Sequence, residues 1–361
     1  MTKAAELAKM GEVLTNSQIG GRRNMVINGG MTIDQRNSGS SVNLANAKVF
    51  AVDRFYWIEN SSETPTSQQV TDAPNGFTHS VKITNTSTTT TPSYTQLVHR
   101  IEGNNVFQLY FGNSSAESVT VSFYVKSSLT GQFSVSLRNG SDNRSNVSTY
   151  TINSANTWER KTVTFVGDTT GTWATDTSIG LNLIFRLDDT GGTSSLNQWT
   201  ATGNAFASGS VRFMGNASAT WQITGIQMEV GSQATPFEHR SFGEELALCQ
   251  RYYHILKRGV GDSSTPIMSG LDTNNQARGI CPFPVSMRAD PTVGYSALSD
   301  FAVYSSATNQ APTAIAGAGT NETRTMMRLT ANFTAGTTGD GILMQINGSA
   351  GSAYIDFDSE L

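Results

Sequence analysis

From about residue 24 to residue 238, apolar and polar side chains alternate with a period of two, the pattern of strands that bury one face. In Ser118-Val-Thr-Val-Ser-Phe-Tyr-Val-Lys, the residues Val119, Val121, Phe123 and Val125 point one way, and Thr120, Ser122, Tyr124 and Lys126 point the other. After the turn residues Leu129-Thr-Gly-Gln, Phe133, Val135 and Leu137 alternate with Ser134, Ser136 and Arg138, so the two runs predict a hairpin with one face buried. Comparable strands are predicted at 49–58, 79–84, 94–101, 146–152, 158–166, 179–187 and 211–214. About ten such strands imply a β-sandwich over residues 24–240. In its last strand Trp221 and Ile223 occupy odd positions while Ile226, Met228 and Val230 occupy even ones, which predicts a bulge at Thr224-Gly225.

The period then changes. Ser241-Phe-Gly-Glu244 is a capping-box pattern that opens a helix, and Phe242, Leu246, Cys249, Tyr253 and Leu256 recur at spacings of four and three. Residues 241–258 therefore read as a linking helix with an apolar seam, fit for a neighbouring sheet or for symmetry mates. Strands resume at 277–287, 292–295, 302–304, 324–333, 341–346 and 353–357, giving a second, smaller β-sandwich over residues 259–361. Pro282 and Pro284 predict an edge position for the first of these strands. Ser87 to Thr91 and Ala311 to Gly319 read as surface loops. Residues 3–15 are strong helix formers with Leu7, Met10 and Leu14 on one side, so residues 1–23 are expected to be a short N-terminal helix and a linker. A helix this short is marginal alone and needs a partner, either its own domain or a docking or trimerising contact.

Composition narrows the function. Of 361 residues 14% are charged, with a formal net charge of -4, so no basic surface argues for nucleic acid. No secretory signal follows the start, and no apolar run reaches membrane-spanning length, which predicts a protein made in a cytoplasm without membrane insertion. Two unpaired cysteines, Cys249 and Cys281, exclude a disulfide scaffold and a four-thiolate zinc site. His79, His99, His239 and His254 lack metal-ligand spacing, and no nucleophile elbow or phosphate-binding glycine loop occurs.

Asp168, Asp176, Asp188 and Asp189 could in principle pair for glycoside hydrolysis, but they stand in Gly/Thr-rich loops where aspartate serves as a turn residue. No cofactor is expected; structural calcium at such a loop is the exception to test. Sugar binding fits better. Tyr124, Arg138, Asn182 and Arg186 fall on the polar faces of their strands and would converge if those strands shared a sheet, the plainer alternative being an ordinary solvated face. Trp173 and Trp199, in loops, would edge such a site or pack half-buried.

Several segments occur together and in order: Asn24-Met-Val-Ile-Asn-Gly-Gly-Met, Val52-Asp-Arg-Phe-Tyr-Trp, Thr120-Val-Ser-Phe-Tyr-Val-Lys-Ser and Ser154-Ala-Asn-Thr-Trp-Glu-Arg-Lys-Thr-Val. Gln227-Met-Glu-Val-Gly-Ser-Gln-Ala-Thr-Pro-Phe-Glu-His-Arg and Cys249-Gln-Arg-Tyr-Tyr complete the set. Across roughly residues 5 to 258 the chain resembles tail-fibre-like virion proteins of bacteriophages, especially marine ones. That resemblance implies a jelly roll similar to carbohydrate-binding modules on a homotrimeric fibre, with an N-terminal part that attaches to other virion proteins. It brings no catalytic residue. The expected function is a non-enzymatic tail fibre or receptor-binding protein that adheres to host-surface glycan, located in the virion and assembled in the bacterial cytoplasm. A capsid-attached fibre or decoration protein is the alternative, and a polysaccharide depolymerase ranks third, because the repeated rungs of a β-helix are not visible.

Overall fold

The computed structural model describes residues 3, 23–45, 48–59, 64–88, 94–189, 191–272, 275–305, 309–317, 324–334, 337–349 and 351–361. Apart from Lys3 and Arg23, the N-terminal helix and linker expected over residues 1–23 lie outside them. The fold is all-β, with one α-helix among the described elements, Phe242–Gln250. The chain divides into two compact units, Met1–Glu245 together with Leu361, and Leu246–Glu360.

The first unit is a jelly-roll β-sandwich. One sheet of six strands runs, in spatial order, Val42–Asn43, Thr66–Val70, Ser80–Thr84, Thr220–Val230, Val119–Ser127 and Glu159–Phe165. The facing sheet of seven runs Trp199–Thr200, Ser145–Ile152, Gly131–Asn139, Ile179–Asp188, Thr95–Glu102, Phe55–Glu59 and Val49–Val52. Between them lies one core that includes Trp57, Trp221, Phe123, Phe133, Phe165 and Phe185.

The expected hairpin is not formed. Val119–Ser127 and Gly131–Asn139 lie in different sheets and face each other across the core. Alternation specifies which side chains are buried, not which strand is the neighbour, and two strands with one buried face satisfy it equally well side by side or face to face. Nor is only one face buried. Thr120, Ser122, Ser134 and Ser136 point outward from the core yet are buried, because irregular segments lie across both outer faces. Thr120 Oγ1 donates to the Gly231 carbonyl at 2.7 Å, and the Ala207 amide donates to Ser134 Oγ at 2.9 Å. The strand expected at 211–214 is a loop ending in the 3-10 turn Phe213–Gly215.

The bulge is present where the change of parity places it. The register of Thr220–Val230 against Val119–Ser127 shifts between Thr224 and Gln227, and Gly225 adopts φ 62°. Trp221, Ile223, Ile226 and Met228 consequently all reach the core. A Cβ at Gly225 would stand 2.6 Å from the Phe77 ring, so this site needs glycine for both its backbone angle and its space.

Ser241 caps the helix as predicted, its Oγ accepting from the Glu244 amide at 3.2 Å. The helix is shorter than the predicted 241–258. It ends at Gln250, and Tyr253–Lys257 is a strand paired with Tyr354–Asp358. Cys249 is buried on the helix, while Tyr253 and Leu256 lie on that strand with opposite parity, so the five seam residues form no continuous helical stripe. Tyr252, Tyr253 and Ile255 are better strand formers than helix formers, and partnership with a second strand overrides the three-four spacing.

In the second unit a sheet of seven strands runs Asn309–Gln310, Phe301–Tyr304, Gly341–Ile346, Thr265–Asp272, Gln276–Pro282, Met326–Asn332 and Ala314–Gly317. A sheet of three, Tyr253–Lys257, Tyr354–Asp358 and Thr292–Tyr295, packs on it around Cys281, Met327, Leu329, Met344, Ile355 and Phe357. Two expectations fail here. Gln276–Pro282 is an interior strand, and Pro282 is tolerated because pairing with Thr265–Asp272 extends only as far as Gly279. Ala314–Gly317, read as part of a loop, is an edge strand, beside Met326–Asn332.

Two outcomes test this account. Gly225→Ala should lower stability in urea unfolding by about 2 kcal/mol or more, from left-handed strain and overpacking. His254 is buried, its ring stacked 6.1 Å from that of Phe357, and burial pushes its pKa down to about 4 from 6.5. Its contribution is complete above pH 6.5 and is lost as pH falls from 6.5 to about 4, because the unfolded chain binds the proton first. The expected loss is about 3 kcal/mol, and His254→Gln should flatten that part of the stability profile.

Candidate functional site

The residues expected to converge are divided among three places. Arg138, Asn182 and Arg186 do share a surface, the face of the seven-stranded sheet that points away from the core. Asn182 stands between Arg100 and Arg138 in register, and Arg186 stands between Gln96 and Ser134. Tyr124 is on the other sheet, beside the core residues Phe123 and Val125 but pointing outward against the Phe77 ring at 5.4 Å. The core therefore separates Tyr124 from Arg138.

The arginine face is built and mostly closed. Arg138 Nε lies 2.9 Å from Asp142 Oδ1, and Arg186 Nη1 lies 2.6 Å from Asp189 Oδ2. Arg100 Nε donates to Asn182 Oδ1 at 3.3 Å, and its guanidinium lies 5.0 Å from the Tyr56 ring centre. Arg186 lies 5.1 Å from the centre of Tyr94. Burial pushes the Tyr56 phenol up to about 12, against the opposing pull of Arg100, Arg138 and Arg54. Burial likewise lowers the pKa of both Arg138 and Arg186. Tyr56, Val98, Ile184 and Ala205 form a small apolar cluster on the same face, covering what alternation alone would leave to solvent. Buried Gln96 Oε1, Ser136 Oγ and Ser145 Oγ have no hydrogen-bond partner there among the described residues. Tyr56, Tyr94 and Arg100 were not singled out in the sequence, because each is one polar position among many until register aligns them.

Trp173 and Trp199 belong elsewhere. Trp199 is paired with Asn146, which lies opposite the core residue Leu137, so it sits on the core side of the sheet. The two indoles meet at 5.2 Å edge to face, and both contact Phe111, at 4.9 and 5.5 Å. Half-buried, they close the end of the core.

This end carries a surface that the sequence did not reveal. Two 3-10 turns, Gly103–Asn105 and Phe107–Leu109, lead into Tyr110, a non-glycine residue with φ 53°. They present Phe107 with 60% and Tyr110 with 55% of their surface exposed. Phe107, Phe111, Trp173 and Thr175 edge a small, largely apolar cleft of about 20 Å³, room for a single water rather than a sugar ring, and the exposed amides of Asn104 and Asn105 adjoin it along the chain. The signal was three aromatic residues within five positions between Gly103 and Gly112, in a stretch with no strand period.

The loop aspartates are occupied by structural partners. Arg144 Nε donates to Asp168 Oδ2 at 2.9 Å. Arg212 Nε and Nη2 donate to the two oxygens of Asp188 at 3.0 and 3.3 Å. Asp176 accepts from the Ser178 amide at 2.9 Å, the turn role expected of it. Among the described residues no group of three His, Cys, Asp or Glu side chains is disposed to hold a metal ion, and no helix is long and apolar enough to cross a membrane.

Neither a protein-family model nor a curated protein sequence matches the chain. Among solved structures it is similar to the enzymatically active domain of bacteriophage CBA120 tailspike protein 4, with 12% identity and a TM-score of 0.34 over 58% of this chain. The match covers 21% of the tailspike chain, so this chain spans about a fifth of it. It is also similar to the carbohydrate-binding module TmCBM61 in complex with β-1,4-galactotriose, with 7% identity, a TM-score of 0.30, and coverage of 58% of this chain and 100% of that one. A family 11 carbohydrate-binding module from Clostridium thermocellum, in complex with a β-1,3-1,4-mixed-linked tetrasaccharide, gives 12% identity, a TM-score of 0.29, and coverage of 52% and 97%.

The buried aspartates make a direct prediction. Asp188→Asn leaves the Arg212 guanidinium without its anion and should lower stability by about 1–3 kcal/mol in chemical denaturation. Asp176→Asn, in an exposed turn, should change it by less than about 0.5 kcal/mol.

Proposed function

We propose that this chain is a non-enzymatic bacteriophage virion protein, a tail fibre or receptor-binding protein, that adheres to host-surface glycan through the aromatic end of its jelly roll. The observation that carries the binding reading is the pair of exposed rings, Phe107 and Tyr110, on one short segment at the end of the core. Flat aromatic faces stack on the C–H surface of a sugar ring, and neighbouring amides and hydroxyls take its hydroxyl groups. A tyrosine held in the left-handed region costs about 1–2 kcal/mol, and strain of that size gathers where function over-determines the backbone. The resemblance of residues 5–258 to phage fibre proteins supports the virion assignment and the homotrimer. Adhesion without cleavage is supported by Asp168 and Asp188, whose carboxylates are engaged by arginines rather than paired with one another.

The test is adsorption. Phe107→Ala and Tyr110→Ala should each weaken binding to host-surface polysaccharide about tenfold, the equivalent of ~1.4 kcal/mol, with the thermal midpoint unchanged. Light scattering should return a trimer mass, and incubation with the polysaccharide should release no new reducing ends. Normal adsorption by both variants would discard this surface, a monomer mass would remove the trimer, and new reducing ends would make the protein a depolymerase.

A further inference from the structure

The second unit carries a groove of a different chemistry. Three adjacent strands, Gln276–Pro282, Met326–Asn332 and Ala314–Gly317, bury Ala277, Cys281, Met327, Leu329 and Ile315 on one face. On the other face they form a groove of about 350 Å³, within the size range of small-molecule sites.

Its walls are cationic. Arg278 lies opposite Thr330, and Arg328 lies opposite Ile280, so the two arginines are diagonal neighbours on adjoining strands. Both are exposed. Like charges this close on a sheet face are destabilising, and among the described residues the groove lining contains no carboxylate to offset them. Arg278 Nη2 donates to Gln276 Oε1 at 2.6 Å, a contact that orients the guanidinium without neutralising it. Ala316 and Ala314, opposite Thr330 and Asn332, supply short side chains where longer ones would fill the space. Gln276, Thr330 and Asn332 add amides and a hydroxyl to the lining. Ile280 and Leu271, each 56% exposed and paired in register with Arg328 and Arg278, place C–H surface beside the charges.

We propose that this groove binds a carboxylate-bearing saccharide. The guanidinium forks of Arg278 and Arg328 hold the carboxylate, Gln276, Thr330 and Asn332 hold ring hydroxyls, and the aliphatic side chains pack on the ring. A carboxylate is the charge that the described lining lacks. An acidic peptide is the poorer occupant: Gln276–Pro282 and Met326–Asn332, which carry both arginines, each have a paired strand on both sides, and the free ladder of the edge strand Ala314–Gly317 points outward in the plane of the sheet, not onto the face that holds the groove.

Calorimetric titration of the full chain with a short oligogalacturonate tests the proposal. Saturable binding is expected, abolished when the sugar carboxyls are methyl-esterified and weakened about tenfold or more in Arg278→Gln and in Arg328→Gln. Both substitutions are on exposed side chains, and an unchanged thermal midpoint will show that the fold is intact. Absence of saturable binding, equal binding of the esterified sugar, indifference to both substitutions, or equally tight binding of a glutamate oligomer would each overturn it. Phe107 and Tyr110 are read by adsorption to host-surface polysaccharide and Arg278 and Arg328 by this titration, so failure of either leaves the other standing.

Discussion

The bulge at Gly225 can exist only because a second segment seals it. Thr220–Val230 lies inside the six-stranded sheet, but its pairing with Ser80–Thr84 ends at Ile223, and beyond the bulge one side of the strand would be left with unmet backbone groups. Residues 24–29 meet them. The Ile226 amide donates to the Gly29 carbonyl at 3.0 Å, and the Met25 amide donates to the Met228 carbonyl at 3.0 Å. The Asn24 side chain spans both, with Nδ2 donating to the Ile226 carbonyl and Oδ1 accepting from the Met228 amide, each at 3.0 Å. Each such group left unpaired would cost about 1–3 kcal/mol. The seal is held in turn by Glu238, which accepts from the Asn24 amide at 2.7 Å, and by Arg240, which donates to the Val26 carbonyl at 3.1 Å and lies 3.3 Å from Glu245.

Asn24-Met-Val-Ile-Asn-Gly-Gly and Gln227 to Arg240, two of the segments that carry the resemblance to phage fibres, are thus partners in space although some two hundred residues apart. Their side chains close the bulge and position the core residues Trp221, Ile223, Ile226 and Met228. A structural reason suffices for most of their polar identities. Sites for ligands have to be sought in residues that these contacts leave over, which is why Phe107, Tyr110 and the arginines of the second unit matter more than the motif histidine or arginine.

Composition acquires a second meaning from the same packing. Small hydroxyl and amide residues on the outward strand positions are not simply solvated. Ser134, Thr120 and Gln227 accept or donate to segments that cross the sheets, as where the Glu238 amide donates to Gln227 Oε1 at 2.7 Å. A charged side chain at these positions would need a buried counter-ion, whereas a hydroxyl needs one backbone group. A chain poor in charge is therefore suited to sheets covered on both sides, and exposed aromatic and guanidinium groups such as Phe107, Tyr110, Arg278 and Arg328 stand where coverage stops.

Periodicity along the chain was enough to set the all-β class, the apolar core positions, the bulge and the helix cap, because each depends on residues close in sequence. Val119, Val121, Phe123 and Val125 face inward whatever the neighbouring strand is. The pairing of strands depended on contacts between distant residues. Hence the expected hairpin became two facing strands, Gln276–Pro282 became interior, and Tyr253 and Leu256 left the helix. The candidate site was legible only in part for the same reason. Arg138, Asn182 and Arg186 were brought to one face by register, Tyr124 was carried to the other side of the core, and the coverage that closed the arginine face came from loops with no period. Phe107 and Tyr110 were marked only by a cluster of aromatic residues without a strand period, and the three-dimensional course of two 3-10 turns is what leaves their rings in solvent. Local chemistry determined what each segment could become, and the tertiary structure alone decided which side chains remained available for binding.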